Sequence, residues 1–380
     1  MNAYLDHNAS APLLPRAREA MMAALAMTGN PSSVHGPGRA LRAVIDDARD
    51  KVGRAAGADA KQVVFTGSAT EALTQAIVGG VNAFGIDRVL VCATDHAAAL
   101  KAAEASSVAV NLIGVDENGI VDLDALRRHI DTADGAGEKV LVTFAWVNNE
   151  TGVVQPRGRI EAMVGPTPHI LVIDAVQAFG KRDLDFAASA TDMMAVSAHK
   201  IGGPAGIGAL LVKGHADTVR LVPGGGQEQG RRGGTESAAL IAGFGAACET
   251  FGEVFEADRV AGLTNRFEER LLAVAPDAVI FSRGADRIGT TVNFAVPGIK
   301  NTVAMMSLDL AGIAVSSGSA CSSGKVGRSH VLSAMGVAPQ LSECGLRVSL
   351  GWSSTAEEID AFFAAFETVL SRHRRDGAAA

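Results

Sequence analysis

A chain of 380 residues with 48% hydrophobic content can bury a large core and ordinarily divides it between two domains. Its formal net charge of -7 argues against nucleic acid or an anionic membrane as the main partner. The four cysteines, Cys92, Cys248, Cys321 and Cys344, have no Cys-x-x-Cys spacing, so neither a zinc site nor a disulfide framework is indicated, which fits a reducing cytoplasm.

The first residues, "MNAYLDHNASAP", carry no basic segment followed by an apolar run. No later stretch reaches the roughly 20 apolar residues that span a bilayer, and the protein is expected to be soluble and unprocessed. From about residue 60 to 215, short apolar runs alternate with helical patterns: "QVVFTG", "RVLVCAT", "VAVNLIGV", "KVLVTFAWV", "HILVIDA", "MMAVSA" and "GIGALLVK". Bounded by turn residues, they predict the strands of an α/β domain with a largely parallel sheet. Residues 68 to 84 and 122 to 131 read as amphipathic helices, and one long helix is expected from about Glu236 to Val260. Strands follow at 277 to 282, 290 to 296 and 345 to 350. The last helix opens on a capping box, Thr355 with Glu358, and Ile359, Phe362, Phe363, Phe366, Val369 and Leu370 make one apolar stripe. The expected division is a large domain over residues 15–260 and a small α+β domain made of 1–14 and 261–380.

Three places combine residue types with chemistry. In "VVFTGSATEALTQAI", Ser68 and Glu71 have capping-box spacing at a helix start, where free N–H groups and the dipole suit a phosphate. In "HILVIDAVQAFG", Asp174 ends an apolar strand and Gln177 follows, at the sheet edge where open α/β folds bind ligands. In "MMAVSAHKIGGPAGIGALLV", Lys200 follows a strand beside Ser197 and His199. Set against buried strands, it is expected to lose its charge and act as a Schiff-base amine. Taken singly, the first is also an ordinary cap, the second a turn aspartate and the third a phosphate-binding lysine. Together they supply a phosphate cradle, an acid for a ring nitrogen and an amine for an aldehyde, the groups that pyridoxal 5'-phosphate requires. A fourth stretch, "IAVSSGSACSSGKVG", puts Cys321 among serines and glycines, where a thiol has little to bury against.

The segments "YLDHNASAP", "GNPSSVHGPGR", "TGSATEA", "TDHAA", "VNNETGVVQP", "DAVQAFGK", "SAHKIGGP", "RRGGTES", "SSGSACSSG" and "LRVSLG" span nearly the whole chain. In that order they resemble the cysteine desulfurases of the NifS/IscS type (group I), within the class V aminotransferase group of pyridoxal-phosphate enzymes of fold type I. The resemblance implies a homodimer that takes sulfur from L-cysteine, releases L-alanine and passes a persulfide to a sulfur-acceptor protein. Carried over residue by residue, it makes Lys200 the Schiff-base lysine and proton shuttle and pairs Asp174 with the pyridinium nitrogen. His96 would stack on the ring and assist proton transfer, while Gln177 and Asn149 would contact the side of its phenolic oxygen. Ala69, Thr70, Ser197 and His199 would hold the phosphate, and Thr235 would reach the phosphate of the neighbouring subunit. Arg347 would clamp the substrate carboxylate, with Asn30 lining the substrate pocket. Cys321 would take the sulfur, its Ser/Gly surroundings giving the backbone the freedom for that excursion.

The sequence departs from the family at "SLGW", which is expected to set Trp352 into the pocket wall beside Arg347. Rival readings are another class V enzyme, such as an aminotransferase or a selenocysteine lyase, and a catalytically silent scaffold for sulfur trafficking. Cys321 speaks against an aminotransferase, and the intact set Lys200, Asp174 and Arg347 against a silent scaffold.

Overall fold

In a computed structural model of the protein, residues 3–318 and 328–378 are described. The strands, in chain order, are β1 (Ala3–Tyr4), β2 (Val63–Thr66), β3 (Arg88–Cys92), β4 (Ala109–Ile113), β5 (Val140–Ala145), β6 (Ile170–Asp174), β7 (Met193–Ser197), β8 (Gly208–Val212), β9 (Val279–Ile280), β10 (Thr291–Ala295), β11 (Ile313–Ala314) and β12 (Gly345–Ser349). Seven of them form the central sheet, in the order β2-β8-β7-β6-β5-β3-β4. It is parallel except at β8, which runs antiparallel to both neighbours.

The sheet carries helices on both faces, so its strands are apolar throughout rather than alternating. In β2, Val63 and Phe65 face one core and Val64 the other; in β3, Leu90 faces the first and Val89 and Val91 the second. The fold is therefore α/β, with a mainly parallel sheet between two apolar layers.

A separate core is drawn from Ala3, Leu5 and residues between Val260 and Leu370. It packs on an antiparallel sheet, β12-β10-β9, and on the parallel pair β1 and β11. Five buried rings, Phe267, Phe294, Phe362, Phe363 and Phe366, form its centre, with Phe267 to Phe362 centroids 4.9 Å apart. The last helix starts on the expected capping box: Thr355 N donates to Glu358 Oε2 (3.1 Å) and Glu358 N to Thr355 Oγ1 (3.4 Å).

Three expectations need correcting. The long helix at 236–260 is two helices, Ala238–Val254 and Ala257–Val274, bent by 70°. Phe255 leaves the helical region (φ -88°, ψ 91°) and stacks on Phe251, its side chain packing against both the first core and the separate one. The apolar pattern runs on through the bend because both helices bury one face. The strand expected at 277–282 shrinks to Val279–Ile280, since Ser282 takes a positive φ of 58° and ends the pairing. The helix at 69–84 contains a π turn, Gln75–Gly79, where the buried Gln75 side chain donates to the carbonyls of Val219 and Arg231. No single helix among the described residues is long and apolar enough to cross a membrane.

Candidate active site

The carboxyl end of the sheet opens into a cavity of about 370 Å³, within the usual range for a small-ligand site. Ala69, Thr70, His96, Asn149, Asp174, Gln177, His199, Lys200 and Arg347 all line it. Strand ends explain the convergence: Asp174 closes β6, and Lys200 follows β7 in a short 3-10 turn (Ala198–Lys200). Because β8 returns antiparallel, the link from β7 is only a local turn, held by Gly203 N donating to Ala198 O (2.9 Å).

Asp174 is buried, and its Oδ1 accepts from Val176 N (2.9 Å). Burial raises its pKa, while that bond and the nearby charges of His96 and Lys200 pull it back down. Such a carboxyl fits a protonated ring nitrogen, which would compensate a charge otherwise costly to bury. Asp95, in the β3 loop, is buried too; its Oδ1 accepts from Ala145 N (2.7 Å) and its Oδ2 has no partner among the described residues. Burial drives its pKa well up, and the charge of Asp174 adds to the effect.

At the other end of the cavity, Ser68 caps the helix that begins at Ala69, accepting from Glu71 N (3.1 Å). The reciprocal arm of the expected capping box is absent: the Glu71 carboxylate accepts from Gly67 N (2.8 Å) and pairs with Arg232 Nε (2.7 Å). The first N–H groups of a helix have no partner within it, so those of Ala69 and Thr70 have the character that suits an anion. Gly208 lets the strand pass close by; a Cβ there would lie 2.9 Å from Ala69 N. Burial and the charges of Lys200 and Lys181 lower the pKa of His199 to about 4, so near neutrality it is an uncharged imidazole. His96 is the N-cap of the helix Ala97–Glu104, its Nδ1 accepting from Ala98 N (3.1 Å).

Arg347 reaches the cavity from β12 and is buried; Nη2 pairs with Asp6 Oδ1 (2.8 Å) and Nη1 donates to Asn149 O (3.0 Å). The N-terminal segment binds everything together. Lys200 Nζ donates to Asn8 O (2.6 Å) and Ala9 O (2.8 Å), and Gln177 Nε2 to Asn8 O (3.0 Å). Asn8 Nδ2 donates to Asn149 O (3.0 Å) and to Thr291 Oγ1 (2.9 Å) of β10.

Three expected site residues stand apart from this lining. Ser197 is buried at the end of β7, while Asn30, whose Oδ1 accepts from Ser32 N (2.8 Å), and Thr235 are both exposed. Cys321 lies outside the described residues. Trp352 does not enter the pocket wall: its Nε1 donates to Pro12 O (3.1 Å) and its ring packs on the large core, because the chain turns away after β12. Sequence reasoning missed Asp6, Asn8, Ala9 and Asp95. Asn8 and Ala9 meet Lys200 through backbone carbonyls, which leave no side-chain signature.

The cavity fits pyridoxal phosphate on the chain's own terms: a buried acid at one end, helix N–H groups at the other and a lysine between strand ends. Residues 3–362 match the family model for aminotransferase class-V. A cysteine desulfurase of Enterobacter agglomerans is 36% identical, covering 98% of this chain and 94% of its own length. An IscS-like cysteine desulfurase of Mycobacterium tuberculosis is 34% identical over 100% of this chain and 98% of its own. Among solved structures, a NifS-like protein from Rickettsia africae superposes with a TM-score of 0.87 at 29% identity, covering 98% of this chain and 100% of that one. SspA in complex with cysteine gives 0.81 at 27% identity, covering 93% and 100%. With a family match over nearly its whole length and relatives this similar end to end, the chain belongs to the aminotransferase class-V family, among its pyridoxal-phosphate-dependent cysteine desulfurases.

Proposed function

We propose that this protein removes sulfur from L-cysteine, releasing L-alanine and leaving a persulfide on Cys321. The observation that carries the reading is one cavity holding an amine on a strand end, Lys200, a buried acid, Asp174, and a guanidinium, Arg347. When bound, pyridoxal phosphate supplies an electron sink that makes the substrate Cα–H acidic and weakens its Cβ–S bond. Lys200 holds the cofactor's aldehyde carbon and moves the Cα proton. Asp174 keeps the ring nitrogen protonated, with His96 against the ring. Ala69, Thr70, Ser197 and His199 receive the phosphate, joined by Thr235 of a second copy of the chain in a homodimer. Gln177 and Asn149 serve the phenolic oxygen, and Arg347 fixes the substrate carboxylate, with Asn30 at the pocket edge. The balance is closed: cysteine's Cβ–S bond breaks, an S–S bond forms at Cys321, and Cβ takes a proton.

The remaining thiols support Cys321 as the acceptor of sulfur. Burial, followed by the charge of Asp95, pushes Cys92 up to about 12, and burial raises Cys248 and Cys344. None of the three offers a thiolate near neutrality, the form that attacks sulfur. We place the enzyme in the cytoplasm, handing the persulfide sulfur to an acceptor protein for iron-sulfur assembly or tRNA thiolation. The two domains are residues 15–260, which carry Lys200, and 1–14 with 261–380, which carry Arg347 and Cys321.

The test is to incubate the yellow holoenzyme with L-cysteine and count alanine against persulfide trapped by an alkylating probe. Equal amounts, with the label on Cys321, are expected. Amino transfer to a keto acid, turnover of selenocysteine alone, or a colourless protein that binds partners without reacting would overturn the reading.

A further inference from the structure

Gln177 lies between two groups that can each bond only one end of its amide. Lys181 Nζ donates to Gln177 Oε1 at 3.4 Å, and Gln177 Nε2 donates to Asn8 O at 3.0 Å. An ammonium only donates and a main-chain carbonyl only accepts, so the two fix the same orientation of the amide. Gln177 is one of the residues that line the cavity. The Asn8 carbonyl also accepts from Lys200 Nζ at 2.6 Å, which completes a path of polar contacts from Lys181 to Lys200.

The turn that presents Lys181 is rigid. Gly180 has a φ of 73°, and a Cβ there would stand 3.0 Å from both Ile201 Cγ2 and Phe251 Cδ1. Lys181 N donates to Ala178 O (2.9 Å), and the half-buried residue borders a second cavity of about 490 Å³. Among the described residues its ammonium makes no ion pair with a carboxylate. The titratable groups that face it are Lys200, His7 and His199, with Arg182 and Asp183 next in the chain; Asp174 faces Lys200 from the other side. Burial and the charge of Lys200 bring the pKa of Lys181 down to about 7.

We propose that Lys181 is a positioning residue for the active site: it fixes the orientation of the Gln177 amide, and its positive charge, which pairs with no carboxylate among the described residues, disfavours protonation of the Lys200 nitrogen. The proposal rests on the reading that pyridoxal phosphate occupies this cavity. A cation beside an amine lowers that amine's proton affinity, so removing it must raise the affinity.

The test is a pH titration of the cofactor's visible absorption band in the holoenzyme, which reports protonation at the Lys200 nitrogen without turnover. Lys181→Met is expected to move the midpoint upward by about 0.5–1 pH unit, a three- to tenfold gain in proton affinity. Lys181→Arg, which is charged throughout the titration, is expected to leave the midpoint at or below that of wild type, and Lys181→Gln serves as a second neutral variant should the methionine chain not fold. A midpoint unchanged in both neutral variants, or one shifted equally by arginine, overturns the role of Lys181 and leaves the cofactor reading standing. A wild-type protein with no visible band overturns the cofactor reading and this proposal with it.

Discussion

Asp6 holds the guanidinium of Arg347 at 2.8 Å, and neither residue belongs to the sheet that carries Lys200. The ion pair and the bond to Asn149 O orient the guanidinium before a substrate arrives, while its buried Nε has no partner among the described residues. Arg347→Lys should weaken cysteine binding by about 1.5–3 kcal/mol, the range for a hydrogen bond to a charged group, since lysine lacks the planar fork. Asp6→Asn should weaken it less, by about three- to tenfold, because orientation is loosened and the guanidinium stays. Titration of the cysteine-induced spectral change measures both.

Lys200→Ala should abolish turnover, because no other amine among the described cavity-lining side chains can hold the cofactor and move the proton. In the wild-type protein, borohydride should fix the cofactor on the peptide that contains Lys200. Label on a Lys181 peptide would reassign the amine.

Cys321→Ser should keep the bound cofactor and the spectral change on adding cysteine, since those need the cavity alone. Alanine release and persulfide formation should fall by at least about a hundredfold, a hydroxyl being a far poorer nucleophile toward sulfur than a thiolate. Wild-type alanine release, or persulfide on Cys92, Cys248 or Cys344, would remove Cys321 from the mechanism.

How much of this was legible in the sequence depended on where each group sits in the chain. Asp174 and Lys200 follow apolar runs that become β6 and β7, so strand ends located them directly. Ser68 was legible as a cap, yet the second arm of its box was not, because Arg232, 161 residues further on, draws Glu71 away. The break at Phe255 was hidden because hydrophobic periodicity continues across it when both helices are buried on one face. Asn8 and Ala9 escaped for a different reason: a carbonyl is the same on every residue, and only the fold decides which one meets a lysine.

Glu150 supplies a pH signature. It is buried, its Oε2 accepts from Ser329 Oγ at 2.5 Å, and burial raises its pKa above the ordinary 4.5, against the pull of that bond and of the charges on His330, Arg347 and His96. A carboxyl whose pKa is raised on folding stabilises most below its unfolded value and loses that contribution as pH rises through the folded one. Glu150→Gln keeps an acceptor for Ser329 and has no charge to bury. In thermal melts of the apoprotein, the melting temperature of the variant minus that of wild type should therefore grow between pH 5 and pH 8. A constant difference would show that Glu150 does not titrate in this way.

Arg49 and Glu228 form a buried bidentate pair, with Nη1 and Nη2 at 2.6 and 2.7 Å from the two carboxylate oxygens. Glu228 Oε2 also accepts from Phe65 N (2.8 Å), and its backbone is held at a φ of 47°. Arg49→Met would leave that carboxylate buried without its cation, at a cost of about 3–5 kcal/mol. Denaturant unfolding measures it, and the double variant Arg49→Met with Glu228→Gln should recover part of the loss.

The segment at residues 5–11 is tied to a strand far along the chain. His7 N donates to Ser349 O (3.2 Å), Ser349 N to Leu5 O (2.9 Å) and Ala11 N to His199 O (2.8 Å), so residues 5–11 are laced between β12 and the Lys200 turn. A ribosome makes this segment well before β12. Until β12 emerges, Asp6 has no Arg347 to pair with and the stretch carrying Asn8 and Ala9 has no strand to lie against. The pocket therefore cannot be finished on a growing chain before β12 is made, and the cofactor must be captured after that.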